Sequence, residues 1–141
     1  MSPQWGDTRT QAKEVVFRKR LDCQSMEVVA PSTMTQVAKL RVIVRSDIPK
    51  GYMMSQAMHA GIDYVLKHDA MSWWQTSNTL VVLEVADEAK ILELAQVMES
   101  EGIKHVVFRE PAMGYQATSI ALDPEDERAK NLTKRLKLAL A

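Results

Sequence analysis

The sequence predicts a single α/β domain, a four-stranded mixed sheet flanked by helices in the order β-α-β-α-β-β-α. Three observations predict it. Short β-branched apolar runs recur along the chain, and segments with helical periodicity separate the first three of them. Those helical segments are long enough to serve as crossovers, so at least two strands are parallel neighbours. Turn and cap residues punctuate the joints between the segments.

The elements follow in order from Lys39. Leu40-Arg41-Val42-Ile43-Val44-Arg45 is a strand, and Asp47, Pro49 and Gly51 mark the turn after it. A helix runs from Tyr52 to about His68. Leu80-Val81-Val82-Leu83-Glu84-Val85 is nearly continuous in apolar residues, as in a strand buried on both faces. Asp87 sits where an N-cap belongs, Ile91, Leu94, Ala95 and Met98 repeat at helical spacing, and Gly102 closes that helix. Val106-Val107-Phe108 and Thr118 to Leu122 are the third and fourth strands. Asp123-Pro124 then opens the last helix as cap and first residue, with Ala129, Leu132 and Leu136 as its apolar face.

Residues 1–38 differ in character and read as an N-terminal extension preceding the domain at 39–141. A short helix over Gln11 to Val28 carries the basic run Arg18-Lys19-Arg20, and a linker holding Pro31-Ser32-Thr33 follows. A solvated segment explains the basic run better than a targeting signal does.

Composition sets limits. The 141 residues hold 18 basic and 18 acidic groups and 46% apolar side chains, which excludes a wholly disordered chain. No apolar run is long enough to span a bilayer, so no membrane partner is expected. The one cysteine, Cys23, cannot pair internally and fits a reducing, cytoplasmic setting. The zero net charge hides an uneven distribution. Residues 1–50 carry 9 basic and 5 acidic groups, and residues 51–100 carry 2 and 7. The basic excess lies where it could meet phosphates.

On a helical wheel, Met54, Ala57, Met58, Gly61, Tyr64 and Val65 fall on one side and are expected to face the sheet. Tyr52, Gln56, His59 and Asp63 form a polar stripe opposite, within an arc of roughly 60°. The stripe begins just after a strand's C-terminal end, where ligands usually bind in open α/β sheets. Any surface helix shows such a stripe, so spacing alone does not make it a site. His68 and His105 have no partners at ligand spacing, and neither a metal nor a cofactor is expected. Phosphate-loop, dinucleotide, zinc-protease and serine-hydrolase motifs are all missing from the sequence.

Val44-Arg45-Ser46-Asp47-Ile48, then Lys50-Gly51, then Gln56-Ala57-Met58-His59-Ala60 stand in an order that resembles the archaeal and eukaryotic type of peptidyl-tRNA hydrolase. The likeness continues through Val81 to Glu88, Gly102-Ile103 and Thr118 to Pro124, about 100 residues in all. It implies a four-stranded mixed sheet, a homodimer, and metal-independent hydrolysis of the ester between a peptide and the 3′ ribose of tRNA. Two departures stand out. The family places a second lysine four residues before the glutamine, where this chain has Tyr52. Its Asp-containing loop between the third and fourth strands is replaced here by the shorter Glu110-Pro111-Ala112-Met113-Gly114-Tyr115, as in a divergent branch of the family.

The resemblance and the chemistry of ester hydrolysis together assign roles. His59 is the expected general base, since histidine titrates near pH 6.5. Glu110 orients the histidine or holds the water, or alternatively pairs with Arg109 or Lys104. Lys50 and the amides around Gly51 stabilise the oxyanion or a phosphate. Thr118 donates to the substrate. Tyr52 and Gln56 line the substrate site, and Arg45 and Arg109, at the ends of neighbouring strands, contact phosphates of the tRNA. Asp47 reads as a turn residue. Trp73-Trp74 reads as a hydrophobic anchor for the core or for a partner subunit, with base stacking as a third use. A non-hydrolysing module that binds tRNA or a protein is the second functional reading, favoured by Tyr52.

Overall fold

In the computed structural model, which describes residues 37–141, the chain forms strand β1 (Lys39–Arg45), helices α1 (Lys50–Lys67) and α2 (Met71–Thr76), and strand β2 (Thr79–Val85). Helix α3 (Glu88–Ser100), strand β3 (His105–Glu110), a 3-10 turn (Pro111–Met113) and strand β4 (Gln116–Leu122) follow. Helix α4 (Glu127–Thr133) and strand β5 (Lys137–Leu138) complete it. The helix expected over Gln11 to Val28 lies outside the described residues.

The sheet has five strands, not four, in the order β3-β4-β1-β2-β5. β1 and β2 are the parallel neighbours, from Lys39 opposite Thr79 to Arg45 opposite Val85, and give the sheet the parallel pair that the crossover helices imply. β4 runs antiparallel to both β1 and β3. The unforeseen strand β5 is two residues long, Leu138 opposite Leu83 and Lys137 opposite Glu84. So short a segment has no periodicity to read, and its pairing supplies partners for backbone groups on the outer side of β2.

Strand alternation divides the core between two layers. Leu40, Val42 and Val44 pack with Met53, Ala57, Ala60 and Tyr64 of α1 and with Trp73. Ile43 points the other way, joining Leu83, Ile91, Met98, Ile103 and Ile120 beneath α3. Each fully buried Ile or Leu contributes about 1.5–3 kcal/mol. β2 is not buried on both faces. Leu83 is buried, but Leu80 is 54% exposed, because α1 covers the β1 side of the sheet and leaves this face of β2 open.

α3 is built as its sequence says. Asp87 accepts a hydrogen bond from the Lys90 N–H at 3.1 Å. At the other end Gly102 has φ +68°, Ile103 N–H donates to the Met98 carbonyl and Gly102 N–H to that of Glu99. Those two bonds close the helix, and Met98 and Ile103 are buried in the same cluster. The last helix differs from expectation. Asp126, not Asp123, caps it by accepting from Arg128 N–H, while the Asp123 side chain accepts from Glu125 N–H in a turn before the helix. α4 stops at Thr133, so Leu136 lies beyond it and packs against the α3 layer from the following turn.

Candidate active site

α1 is the helix that positions the site, and its buried face is not the one the wheel selected. Met53, Gln56, Ala57, Ala60 and Tyr64 are buried, whereas Met54, Met58, Ile62, Val65 and Leu66 are exposed. The helix is therefore turned by about a quarter revolution toward its polar stripe. The physical cause is Gln56, only 2% exposed, whose polar atoms all find use inside.

Gln56 Nε2 donates to Glu110 Oε1 on β3 at 3.2 Å. A carboxylate only accepts, so this contact fixes the amide and leaves Oε1 facing Thr118 of β4, whose hydroxyl donates to it at 2.6 Å. Ser119 Oγ donates to the Gln56 backbone carbonyl at 2.7 Å. One helix residue thus binds two strands. His59, one turn further along α1, lays its ring on Phe108 with centroids 4.7 Å apart. Its Nδ1 is buried with no hydrogen-bond partner among the described residues. Gln56 over Glu110 and His59 over Phe108 are successive rungs of one contact between α1 and β3. Glu110 is the rung nearer the start of α1, where Lys50, Gly51 and Tyr52 are exposed.

The expected residues therefore divide. Gln56, Glu110, Thr118 and His59 come together, and Lys50, Gly51 and Tyr52 occupy the same end of the sheet at the start of α1. Thr118 is fully buried and commits its one proton to Gln56, which places it behind the glutamine and away from a substrate. Glu110 meets Gln56, and no ion pair joins it to Arg109 or Lys104 among the described residues. Arg45 turns inward. Its Nε and Nη2 bind the two Asp47 oxygens at 2.6 and 2.8 Å, and its Nη1 binds Gln116 Oε1 at 2.8 Å. That arrangement holds the Asp47 carboxyl below its ordinary range and leaves Arg45 8% exposed, a brace for the strand ends with little surface for a phosphate. β4 lies between the strands of Arg45 and Arg109, so those strands are not neighbours. Arg109 is exposed, with Nη1 donating to the Tyr115 carbonyl at 3.2 Å.

Two residues were given no role in the sequence reading. Glu88 at the start of α3 accepts from Ala117 N–H at 2.7 Å, tying the other layer to the same sheet end. Tyr115 is 63% exposed at φ +61°, just after Gly114, and its N–H donates to the Glu110 carbonyl at 2.9 Å. Gly114 in a short loop was the available signal for this tight turn.

On the other flank of α1 an apolar groove of about 1020 Å³ runs over the open face of β2, lined by Met54, Met58, Ile62, Trp74 and Leu80 among others. Trp73 is core, with its indole N–H donating to the Thr79 carbonyl at 3.0 Å, while Trp74 is exposed on the groove. No described helix is long and apolar enough to cross a membrane. Among the described residues no group of three or more His, Cys, Asp or Glu is placed to hold a metal ion.

No curated protein matches the chain. The model of one protein family, Peptidyl-tRNA hydrolase PTH2, matches residues 38–139, which covers every element of the sheet and the whole Gln56 site. By that match, and with its glutamine, histidine and threonine gathered where α1 crosses the sheet, the chain belongs to the PTH2 family of peptidyl-tRNA hydrolases, carboxylic ester hydrolases.

Proposed function

We propose that the protein hydrolyses the ester joining a peptide to the 3′ ribose of tRNA, in the cytoplasm and without a metal ion. The observation that carries this reading is the Gln56 amide, which holds Glu110 at the end of β3 nearest the start of α1. Only one Glu110 oxygen is engaged among the described residues, leaving the other to accept a proton from water. Water attacks the ester carbonyl as its proton passes to Glu110. The oxyanion so formed faces the Lys50 ammonium and the amides at the start of α1. The intermediate then expels the ribose oxygen, which takes the proton back from Glu110. The products are a peptide carboxylic acid and tRNA with a free hydroxyl. Thr118 acts through Gln56 as a positioning residue. His59, whose Nδ1 is buried without a partner among the described residues, sits one rung behind and supports β3 through Phe108, which favours Glu110 over His59 as the proton acceptor.

Tracking release of labelled peptide from purified peptidyl-tRNA tests the reading. Wild-type protein treated with a chelator releases peptide and Glu110→Gln does not. Tight tRNA binding with no release by the wild type would assign the chain to the non-hydrolysing alternative.

The apolar groove supports the homodimer that the family resemblance implies, with a second copy covering it. Its exposed methionines and Trp74 form one continuous strip, and interface centres are enriched in such side chains.

A further inference from the structure

Two of the three tyrosines of this chain stand at the surface, Tyr52 four residues before Gln56 and Tyr115 five residues after Glu110. Tyr52 is 60% exposed and lies one helical turn before Gln56, on the same side of α1. The rungs between α1 and β3 run from His59 over Phe108 to Gln56 over Glu110. A further step of four residues along the helix, about 6 Å, brings Tyr52 to the level of the turn that follows Glu110. Tyr115 ends that turn, bonded through its N–H to the Glu110 carbonyl and through its carbonyl to Arg109. Neither phenol has a side-chain hydrogen-bond partner among the described residues, and neither ring is paired with another aromatic there. Lys50 stands two residues before Tyr52, and Arg109 is held at the Tyr115 turn by its bond to the Tyr115 carbonyl.

Two exposed, unpaired rings at the end of the sheet that holds the Glu110 carboxylate, with Lys50 and Arg109 on the same segments, have the make-up of a single-strand stacking platform. We propose that Tyr52 and Tyr115 stack the 3′-terminal nucleobase of the acceptor strand and so hold the ester at Glu110. The inference rests on the hydrolase reading above and adds to it what grips the nucleotide. It also gives Tyr52 a task of its own at a position where the resemblance would place a lysine.

The test compares deacylated tRNA with the same tRNA carrying an abasic 3′-terminal nucleotide, bound to the full chain and read by fluorescence anisotropy. The wild type loses roughly five- to tenfold in affinity when the terminal base is absent. Tyr52→Ala, and Tyr115→Asn, which keeps a residue tolerant of positive φ, bind intact tRNA more weakly by a similar factor and no longer distinguish the abasic form. Tyr52→Trp restores the distinction. With peptidyl-tRNA as substrate, KM rises in Tyr52→Ala by the same factor. An abasic penalty that persists undiminished in both variants overturns the platform. So does a wild type that cleaves peptidyl-tRNA yet ignores the terminal base, and that outcome leaves the hydrolase reading standing. A wild type that neither binds nor cleaves any tRNA overturns both.

Discussion

Thr118 Oγ1 donates to Gln56 Oε1 at 2.6 Å, between two side chains that are 0% and 2% exposed. The bond joins the helix that opens the site to a strand in the interior of the sheet. Because Gln56 also donates to Glu110, the threonine sets where the carboxylate sits.

Thr118→Val keeps the shape and removes the donor. Gln56 Oε1 is then buried without a partner, at a cost of about 1–3 kcal/mol. Urea unfolding should show that loss. Peptide release should fall in kcat more than it rises in KM, and Thr118→Ser should recover both stability and rate. Lowered stability with an unchanged kcat would leave Thr118 a purely structural residue.

Glu110→Gln should leave the fold intact, since an amide oxygen can still accept from Gln56, and should lower kcat by about 10²-fold or more. His59→Leu keeps an apolar contact on Phe108 and should lower kcat by much less. The ratio of the two rates identifies the proton acceptor. A larger fall for the His59 variant would return that role to the histidine the sequence first suggested.

Asp47 bears on acid stability. The hydrogen bond from Arg45 depresses its carboxyl, against an opposing effect of burial. A group depressed on folding contributes stability above the unfolded value, about 3.9 for Asp, and loses it as pH falls through the folded value. The thermal midpoint of Asp47→Asn should therefore lie below that of the wild type by a constant margin from pH 7 to about pH 5. The margin should close in more acidic solution. A margin independent of pH down to acid unfolding would show that the carboxylate charge is not what matters.

Met58 is 62% exposed in the groove, so Met58→Asp should hardly alter the monomer's stability, within about 0.5 kcal/mol. It should split the dimer, seen by sedimentation across a range of concentrations. A wild-type chain that stays monomeric at every concentration, or a dimer that survives this substitution, would remove the groove as the interface.

The domain class, the first four strands, the presence of a parallel pair in the sheet and both ends of α3 were legible in the sequence. Those features are local: β-branched runs, an Asp that caps, a Gly that adopts φ +68° at little cost. The sequence also singled out Gln56, His59, Glu110 and Thr118, through order along the chain. Which face of α1 is buried follows from long-range contacts alone. A hydrophobic wheel ranks Gln56 as polar and places it outside, and the Glu110 and Thr118 contacts that let it enter the interior lie 54 and 62 residues away. The inward turn of Arg45 toward Asp47 and Gln116 depended in the same way on a contact 71 residues distant. β5 and the displaced cap of α4 depended on the open edge of β2 and on the turn at Asp123. A buried polar group is stable only when its partners arrive, and those partners belong to the fold as a whole.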